Sequence, residues 1–221
     1  MTTCFQSTGF RSTVRRAVFF FVGVLCCMAA HAAALEARIH QSNGSPVANA
    51  VITLEPDDGA APPAVYRGEA IMDQRHSRFV PHVLVVPVGT LVHFPNSDNV
   101  HHDVYSFSPA KTFDLPLYKG VHAQPVLFDK PGVVVLGCNI HDWMLGYIDV
   151  VTTPWYAKTD ANGRASLTGI PPGKYRVTIW QPGLDAPGQH VQQDVELAEA
   201  QPYVLDLGVK IVPPLHPHDR Q

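Results

Sequence analysis

Short apolar runs, rather than long amphipathic segments, dominate the hydrophobic pattern of this chain. Two of them, residues 133–136 and Gly146–Val151, are almost continuously apolar and are separated by a short stretch that begins with Gly137. Apolar runs of about four to eight residues between turn signals are typical of buried strands. Other strand-like runs follow the same pattern, at residues 36–40, 50–54, 83–86, 90–94, 175–180, 191–197 and 203–212. We therefore predict an all-β chain.

Turn signals separate these runs. Residues 42–46 read Ser-Asn-Gly-Ser-Pro, and residues 159–164 read Thr-Asp-Ala-Asn-Gly-Arg. Both combinations favour tight turns. Residues 107–123 contain prolines and a glycine among apolar side chains, and we expect a long loop that packs its own apolar residues. The last nine residues, 213–221, are expected to be disordered.

The N-terminal segment has a different composition from the rest of the chain. Three arginines, Arg11, Arg15 and Arg16, precede an apolar run at residues 17–30, which is followed by small residues up to residue 34. This order is typical of a secretory signal peptide. The apolar run has about 14 residues, fewer than the roughly 20 that span a bilayer as a helix. We expect cleavage and export to the periplasm with no stable membrane span afterwards, and an uncleaved anchor is the alternative.

Cleavage would change the charge and the cysteine count. Of 221 residues, 16 are basic and 19 acidic; without the three arginines 13 basic residues remain, a net charge of about −6 with neutral histidines. A mildly acidic exported protein gives no reason to expect nucleic-acid binding. Cys4, Cys26 and Cys27 would leave with the signal peptide, so Cys138 would be the single cysteine. A chain with one cysteine forms no internal disulfide.

Candidate chemistry is concentrated between the two continuous apolar runs. Residues 137–144 read Gly-Cys-Asn-Ile-His-Asp-Trp-Met, so Cys138, His141 and Met144 lie within seven residues. A thiolate, an imidazole and a thioether together suit a soft transition metal such as copper. A further ligand is expected from His101 or His102 at the start of another strand. Strand alternation favours His102, because it shares a face with Val104 and Ser106.

Other uses of these residues are weaker. A cysteine nucleophile with a histidine base is chemically allowed, but the sequence shows no oxyanion hole or substrate pocket. A zinc site with an open position is also allowed, but it would leave Met144 idle. Cys138 could instead be an inert buried thiol, and Met144 could be core filler beside Trp143.

The spacing of these residues resembles the type 1 copper site of the cupredoxins. Cys-x2-His-x2-Met follows an upstream Asn-x5-His, formed here by Asn96 and His102. The resemblance covers roughly residues 70–152 and implies a cupredoxin-type Greek-key β-sandwich that holds one type 1 copper ion. By that resemblance the metal ligands are His102, Cys138, His141 and Met144.

The wider sequence is more similar still to the cupredoxin-like proteins labelled methylamine utilisation protein. The similar segments are Phe-Val-Pro at 79–81, Phe-Pro-Asn at 94–96 and the octapeptide at 137–144. This chain departs from the pattern at Asp103, where many family members have Asn. A carboxylate there is expected to alter the hydrogen bonds around the ligands and hence the redox potential.

Both flanks resemble a carboxypeptidase regulatory-like domain, which is a small Ig-like β-sandwich. Gly-Ser-Pro-Val at residues 44–47 matches its opening, and Asp160 with Gly163, then Pro-Pro-Gly-Lys-Tyr at 171–175, match its closing part. This implies a second sandwich split around the first, although residues 35–60 could instead be early cupredoxin strands. The predicted layout is a signal peptide at 1–34, β segments at 35–60, a cupredoxin domain at 62–152, Ig-like strands at 153–212 and a tail at 213–221.

The resemblance implies an exported carrier of single electrons that is not an enzyme. A redox partner is expected to dock near His141 and Trp143, where large apolar side chains share the loop with the ligands. Two other functions stay open: a periplasmic copper-binding or delivery protein, and a cell-surface binding module in which the Ig-like part is the functional half.

Overall fold

The computed structural model describes residues 32–59, 68–120, 124–185, 190–199 and 201–212. The predicted signal segment up to residue 31, its three cysteines and the tail at 213–221 lie outside the described residues. All regular secondary structure in the described ranges is β-strand, which confirms the all-β prediction. These ranges therefore contain no helical segment that could span a bilayer.

Seventeen strands are formed by the described residues. The first eight are β1 (Ala33–Gln41), β2 (Val51–Pro56), β3 (Glu69–Ile71), β4 (Asp73–Gln74), β5 (Phe79–Val80), β6 (Val83–Pro87), β7 (Thr90–His93) and β8 (His102–Ser108). The others are β9 (Lys111–Tyr118), β10 (Val126–Phe128), β11 (Gly132–Leu136), β12 (Gly146–Val151), β13 (Tyr156–Lys158), β14 (Arg164–Ile170), β15 (Gly173–Trp180), β16 (His190–Leu197) and β17 (Tyr203–Val209).

The middle strands, β3 to β12, surround one hydrophobic core. They form sheets in the orders β10-β7-β3 and β11-β12-β6, together with the pairs β8-β9 and β4-β5. Buried side chains from these sheets make one cluster that includes Phe79, Phe94, Phe128 and Ile148. Strand β12 is central, since it pairs antiparallel with β11 and parallel with β6. This β-sandwich carries the candidate ligands.

Strands from both flanks of the chain share a second core. One sheet has the order β14-β1-β17 and the other the order β13-β2-β15-β16. Leu35 of β1 and Ile52 of β2 pack in the same cluster as Val177 and Leu205. The early strands are thus hydrogen-bonded to strands from the C-terminal part. The exact domain boundaries stay a prediction, because residues 60–67 lie outside the described ranges.

The predicted turn at residues 42–46 is present, and it connects the two sheets of this second sandwich. The Gln41 N–H donates to the Ser45 carbonyl at 2.8 Å, and Gly44 has a φ of +82°. A left-handed φ of this kind is easy for glycine and costly for most other residues. Strand β1 then lies in one sheet and β2 in the other, so the chain crosses the sandwich here.

The expectation of a long loop over residues 107–123 is wrong. Residues Lys111–Tyr118 form β9, which pairs antiparallel with β8. Pro109 and Pro116 favoured the loop prediction, but proline is tolerated in edge strands and at bulges. Pro116 lies at an irregularity of this kind: Val104 pairs with Leu115 and His102 with Tyr118, so β9 has one residue more than β8 between these pairs. Leu115 is buried in the core of the middle sandwich.

The two sandwiches belong to one compact unit and meet through an apolar cluster. Its buried members are Val51, Val83, Tyr147 and Trp180, and the rings of Tyr147 and Trp180 are 5.8 Å apart. Side chains two residues apart on a strand share a face, so Asp149 lies on the same face of β12 as Tyr147. Its neighbours across the sheet are Val133 and Val85.

Asp149 is therefore an acidic residue with a valine on each neighbouring strand. It is only 9% exposed and lines a cleft of about 170 Å³ whose polar wall includes Thr53, Thr178 and His190. Burial raises the pKa of Asp149 to about 6, although the nearby His190 has the opposite effect. The ionised carboxylate is thus less stable in the folded chain than in the unfolded chain.

Replacing this carboxylate should stabilise the protein in a pH-dependent way. The folded-state pKa of Asp149 lies above the ordinary 3.8. The contribution of Asp149 to stability is therefore fully present below pH 3.8 and is lost as the pH rises through about 6. Asp149→Asn should increase the free energy of unfolding by up to about 3 kcal/mol at pH 7.5 and by little at pH 4. Urea unfolding at both pH values measures this. Asp114→Asn, at an exposed position, is the control; an equal effect of Asp149→Asn at both pH values would contradict the account.

Candidate metal centre

Two pieces of the middle sandwich bring the predicted ligands together. His102 is the first residue of β8, and the other three residues lie on the connection between β11 and β12. This connection is held at its start by a two-way backbone pair, in which Tyr105 and Gly137 exchange N–H to carbonyl bonds of 3.0 and 3.1 Å. At its end, Leu136 and Gly146 are opposite each other in the sheet. A loop fixed at both ends holds its side chains in defined positions.

Three donor atoms converge between these pieces. The Nδ1 atoms of His102 and His141 are 3.1 Å apart, and the Cys138 Sγ lies 3.9 Å from the first and 3.7 Å from the second. Two donors bound to one ion at roughly 2.0 to 2.3 Å can be at most about 4.5 Å apart. All three separations satisfy that limit. In the described part of the chain, no other group of at least three His, Cys, Asp or Glu side chains is arranged to hold an ion.

His102, rather than its neighbour, faces this cluster. Its side chain is fully buried, as expected from the alternation that also buries Val104 and Ser106, whereas His101 is exposed. The structure thus places His102 at the cluster and His101 at the surface.

Met144 is buried close to the same cluster. It is 1% exposed and packs in the same hydrophobic cluster as Cys138. Its backbone N–H donates to the His141 carbonyl at 2.8 Å, which closes the turn that contains the ligands. Its role as a fourth, weak ligand stays a prediction.

A carboxylate that the sequence analysis missed orients His102. The Asp98 Oδ2 lies 2.9 Å from His102 Nε2. An ionised carboxylate only accepts, so Nε2 carries the hydrogen and Nδ1 is left with a lone pair toward Cys138 and His141. Carboxylate contacts of this kind fix the ring orientation and tautomer of metal-binding histidines. An acidic residue four positions before a candidate ligand was the available signal.

Asp98 is itself held by a turn from another part of the chain. It accepts hydrogen bonds from the backbone N–H groups of His76 and Ser77 at 2.6 and 2.8 Å, and both of these residues have a φ of +53°. Partial burial alone raises the pKa of Asp98, but the Ser77 amide, the His102 ring and the His76 amide together lower it. The left-handed pair of residues thus presents two donors to one carboxylate.

A second carboxylate, Asp103, contacts the sulfur. It is 2% exposed, and its Oδ1 lies 3.1 Å from Cys138 Sγ. It also accepts from the Asn139 backbone N–H at 2.9 Å and from the Asn139 side-chain amide at 2.5 Å. The residue at which this sequence departs from the cupredoxin pattern therefore bridges β8 to the ligand loop and contacts the thiol directly.

Burial of Cys138 favours the neutral thiol over the thiolate. Burial raises the pKa of Cys138. The backbone hydrogen bond with Asp103 lowers this pKa and the side-chain hydrogen bond with Asp103 raises it, each by less than burial does. A thiol must lose its proton to become a strong metal ligand. Metal binding here is consequently expected to release a proton and to weaken as the pH falls.

Large apolar side chains lie close to His141 in the ligand loop. Trp143 is 52% exposed and Ile140 is 51% exposed, while Leu145 is half-buried. The Trp143 and His141 rings are in edge contact, with centroids 5.3 Å apart. Large apolar groups that remain exposed beside a buried polar cluster are typical of interaction surfaces.

No protein-family model and no curated protein matches the sequence. Solved structures that are similar to part of the chain include cupredoxins. A purple cupredoxin from Nitrosopumilus maritimus is 26% identical, over 38% of this chain and 99% of that protein, with a TM-score of 0.33. A reduced Cu(I) amicyanin variant is 22% identical, over 45% of this chain and 98% of that protein, with a TM-score of 0.35.

A Cu-containing nitrite reductase from Thermus scotoductus SA-01 is 30% identical over 38% of this chain, with a TM-score of 0.36. The chain spans only 22% of the length of that reductase.

Loss of the Asp98 carboxylate should weaken metal binding. Asp98→Asn should lower the affinity for Co²⁺ or Zn²⁺ about 10- to 100-fold, because the amide holds the His102 ring less firmly and makes it less basic. Competition with a coloured chelator measures the affinity. Asp142→Asn, at an exposed position next to His141, is the control and should bind nearly as the unchanged protein does. Equal affinities for the Asp98 and Asp142 variants would contradict this role of Asp98.

Proposed function

We propose that this protein is an exported type 1 copper protein that carries single electrons between redox partners and is not itself an enzyme. The observation that supports this most strongly is the convergence of one cysteine sulfur and two histidine Nδ1 atoms within 3.9 Å at the end of a β-sandwich. The ligands proposed are His102, Cys138 and His141, with Met144 as a weak fourth.

The chemistry of the donor set favours copper. A thiolate with two imidazoles and a nearby thioether is softer than the sets that select magnesium or calcium, and a thioether contributes little to zinc binding. When bound, one copper ion would supply one-electron transfer between its Cu(I) and Cu(II) states.

The residues of this chain would keep the ligand positions nearly the same in both states. Asp98 fixes the His102 ring, and the Tyr105–Gly137 backbone pair fixes the start of the ligand loop. Asn139 is tied to β8 through Asp103. A site that rearranges little on oxidation or reduction exchanges electrons quickly, since little reorganisation accompanies each transfer.

A copper-delivery function is the main alternative, and burial argues against it. His102 is fully buried and Cys138 is 3% exposed, so only His141 offers a partly open ligand. Delivery requires a partner's ligands to reach the ion in succession, which these burials hinder. Retention of one ion fits the geometry better.

The surface around His141 is the proposed contact for a redox partner. Trp143 and Ile140 are half-exposed there, and the Trp143 ring contacts the His141 ring. A patch made of a few exposed apolar side chains suits the brief encounters of electron transfer better than a permanent complex. Export to the periplasm, proposed from residues 1–34, would place these encounters among other exported proteins.

The decisive variant for copper binding is Cys138→Ser. The protein with Cu²⁺ should show the intense visible absorption of a Cu(II)–thiolate bond, and Cys138→Ser should lose it while staying folded, because a hydroxyl is too hard to replace the thiolate. His102→Ala should also lose the absorption, whereas the exposed His101→Ala should keep it. Full absorption in the Cys138 variant would refute the proposal.

The Asp103 carboxylate should lower the redox potential of bound copper. Its negative charge near the sulfur favours Cu(II), so Asp103→Asn should raise the potential, on the order of 0.1 V for an effective dielectric constant near 20. Voltammetry of the copper-loaded protein measures the shift. Asp114→Asn, at an exposed position on β9, should leave the potential almost unchanged; a lowered potential in the Asp103 variant would contradict the sign.

Trp143 should affect the rate of electron exchange with a partner and not the binding of copper. Trp143→Ala should slow electron exchange with a partner protein several-fold, because it removes an exposed apolar contact, and should leave the visible spectrum nearly unchanged. Stopped-flow reduction by an exported c-type cytochrome measures the rate. Phe107→Ala, at an exposed position of β8, is the control. Unchanged exchange kinetics for Trp143→Ala would contradict a partner contact at Trp143.

A further inference from the structure

A second recess lies beside the candidate metal centre, on the side of Met144. It has a volume of about 530 Å³ and is bounded by two stretches of chain, residues 78–82 and residues 143–147. The side chains that line it are Arg78, Phe79, His82, Trp143, Met144, Leu145 and Tyr147. We call it the Arg78 groove. Volumes between about 300 and 1,000 Å³ are typical of sites for small molecules.

The charge of the groove is concentrated in one unpaired guanidinium. Arg78 is exposed, and no carboxylate in the described ranges forms an ion pair with its side chain. The neighbouring Arg75 differs, because its Nε lies 2.5 Å from the Asp73 carboxylate. Within the described part of the chain, the groove thus offers the Arg78 guanidinium without a carboxylate partner, on a protein that carries more acidic than basic residues.

The other side chains of the groove are mostly flat rings. His82 and Tyr147 are in edge contact, with centroids 5.3 Å apart, and the half-exposed Trp143 ring lines the same space. Partial burial and the nearby Lys158 lower the pKa of His82, although a contact with the Leu145 backbone has the opposite effect. His82 therefore contributes a ring rather than a positive charge near pH 7. Flat rings favour planar ligands through stacking and edge contacts.

We propose that the Arg78 groove binds a small aromatic anion: a planar ring system that carries one carboxylate or a similar single negative charge. The guanidinium would pair with the anionic group in its two-pronged geometry. The rings of Trp143, His82 and Tyr147 would cover the planar part. The concave shape favours a small molecule over an acidic protein segment, since protein partners usually bind flatter surfaces.

This site does not require copper, because every group that defines it belongs to the protein. It goes beyond the proposed electron-carrier function, and the two can fail independently. Met144 lines the groove, so an occupant would lie next to the proposed weak ligand of the metal.

The test uses three probes of nearly equal shape on the metal-free, full-length protein. They are 2-naphthoate, neutral 2-naphthamide and cationic 2-naphthylmethylammonium, and calorimetry measures their binding. The unchanged protein should bind 2-naphthoate at least ten-fold more tightly than the amide and the ammonium probe most weakly. Arg78→Gln should abolish the preference for the anion. Arg38→Gln, at an exposed position of β1 in the other sandwich, is the matched control and should keep it.

Variants of Trp143 separate stacking from charge. Trp143→Ala should weaken naphthoate and naphthamide by a similar factor, and Trp143→Phe should restore most of the binding. Circular dichroism verifies that each variant is folded. Because Arg78 is exposed, its replacement should not disturb the fold. Absence of saturable naphthoate binding, equal affinity for the anion and the amide, or an unchanged preference in Arg78→Gln would overturn the proposal. Capture of an acidic glutamate-rich peptide without any naphthoate binding would also overturn it, in favour of a protein ligand.

Discussion

The hydrogen bond between His102 and Asp98 determines which ring nitrogen of His102 faces Cys138. With Nε2 occupied by the carboxylate, Nδ1 is the nitrogen available within reach of His141 and the sulfur. Asp98 in turn depends on two left-handed residues, His76 and Ser77, whose amides hold it in place. The turn at residues 75–78 therefore supports the candidate metal centre, and the same turn places Arg78 in the neighbouring groove.

The second constraint is the packing of one sandwich on the other. Strand β12 follows directly after the ligand loop, and its two faces serve different purposes: Ile148 and Val150 fill the core of the middle sandwich, while Tyr147 contacts Trp180 of the flanking one. The flanking sandwich thus packs, through Trp180, against the start of the strand that follows the ligand loop. Asp149 lies on this second face, and burial there raises its pKa to about 6.

The sequence predicted the local part of the site and missed the part that depends on pairing between distant segments. Cys138, His141 and Met144 could be proposed together because one short loop carries them all. His102 could be preferred to His101 because alternation along a single strand decides between them. The bridge from Asp103 to Asn139 depends on the register of β8 against the loop. The hydrogen bonds from His76 and Ser77 to Asp98 also join distant positions, so no local pattern reveals either contact. Strand β9 was missed for a related reason: Pro116 indicates a loop unless the edge position and the irregular pairing with β8 are known.

We propose that the protein fold, rather than the ion, sets the ligand geometry, with Asp98 determining the orientation of His102. A crystal structure of the copper-loaded protein, with anomalous data at the copper edge, tests it most directly. The account predicts one copper peak within bonding distance of Cys138 Sγ and of the Nδ1 atoms of His102 and His141, with His102 Nε2 still on Asp98. A peak bound through His102 Nε2, or copper located away from Cys138, would contradict it.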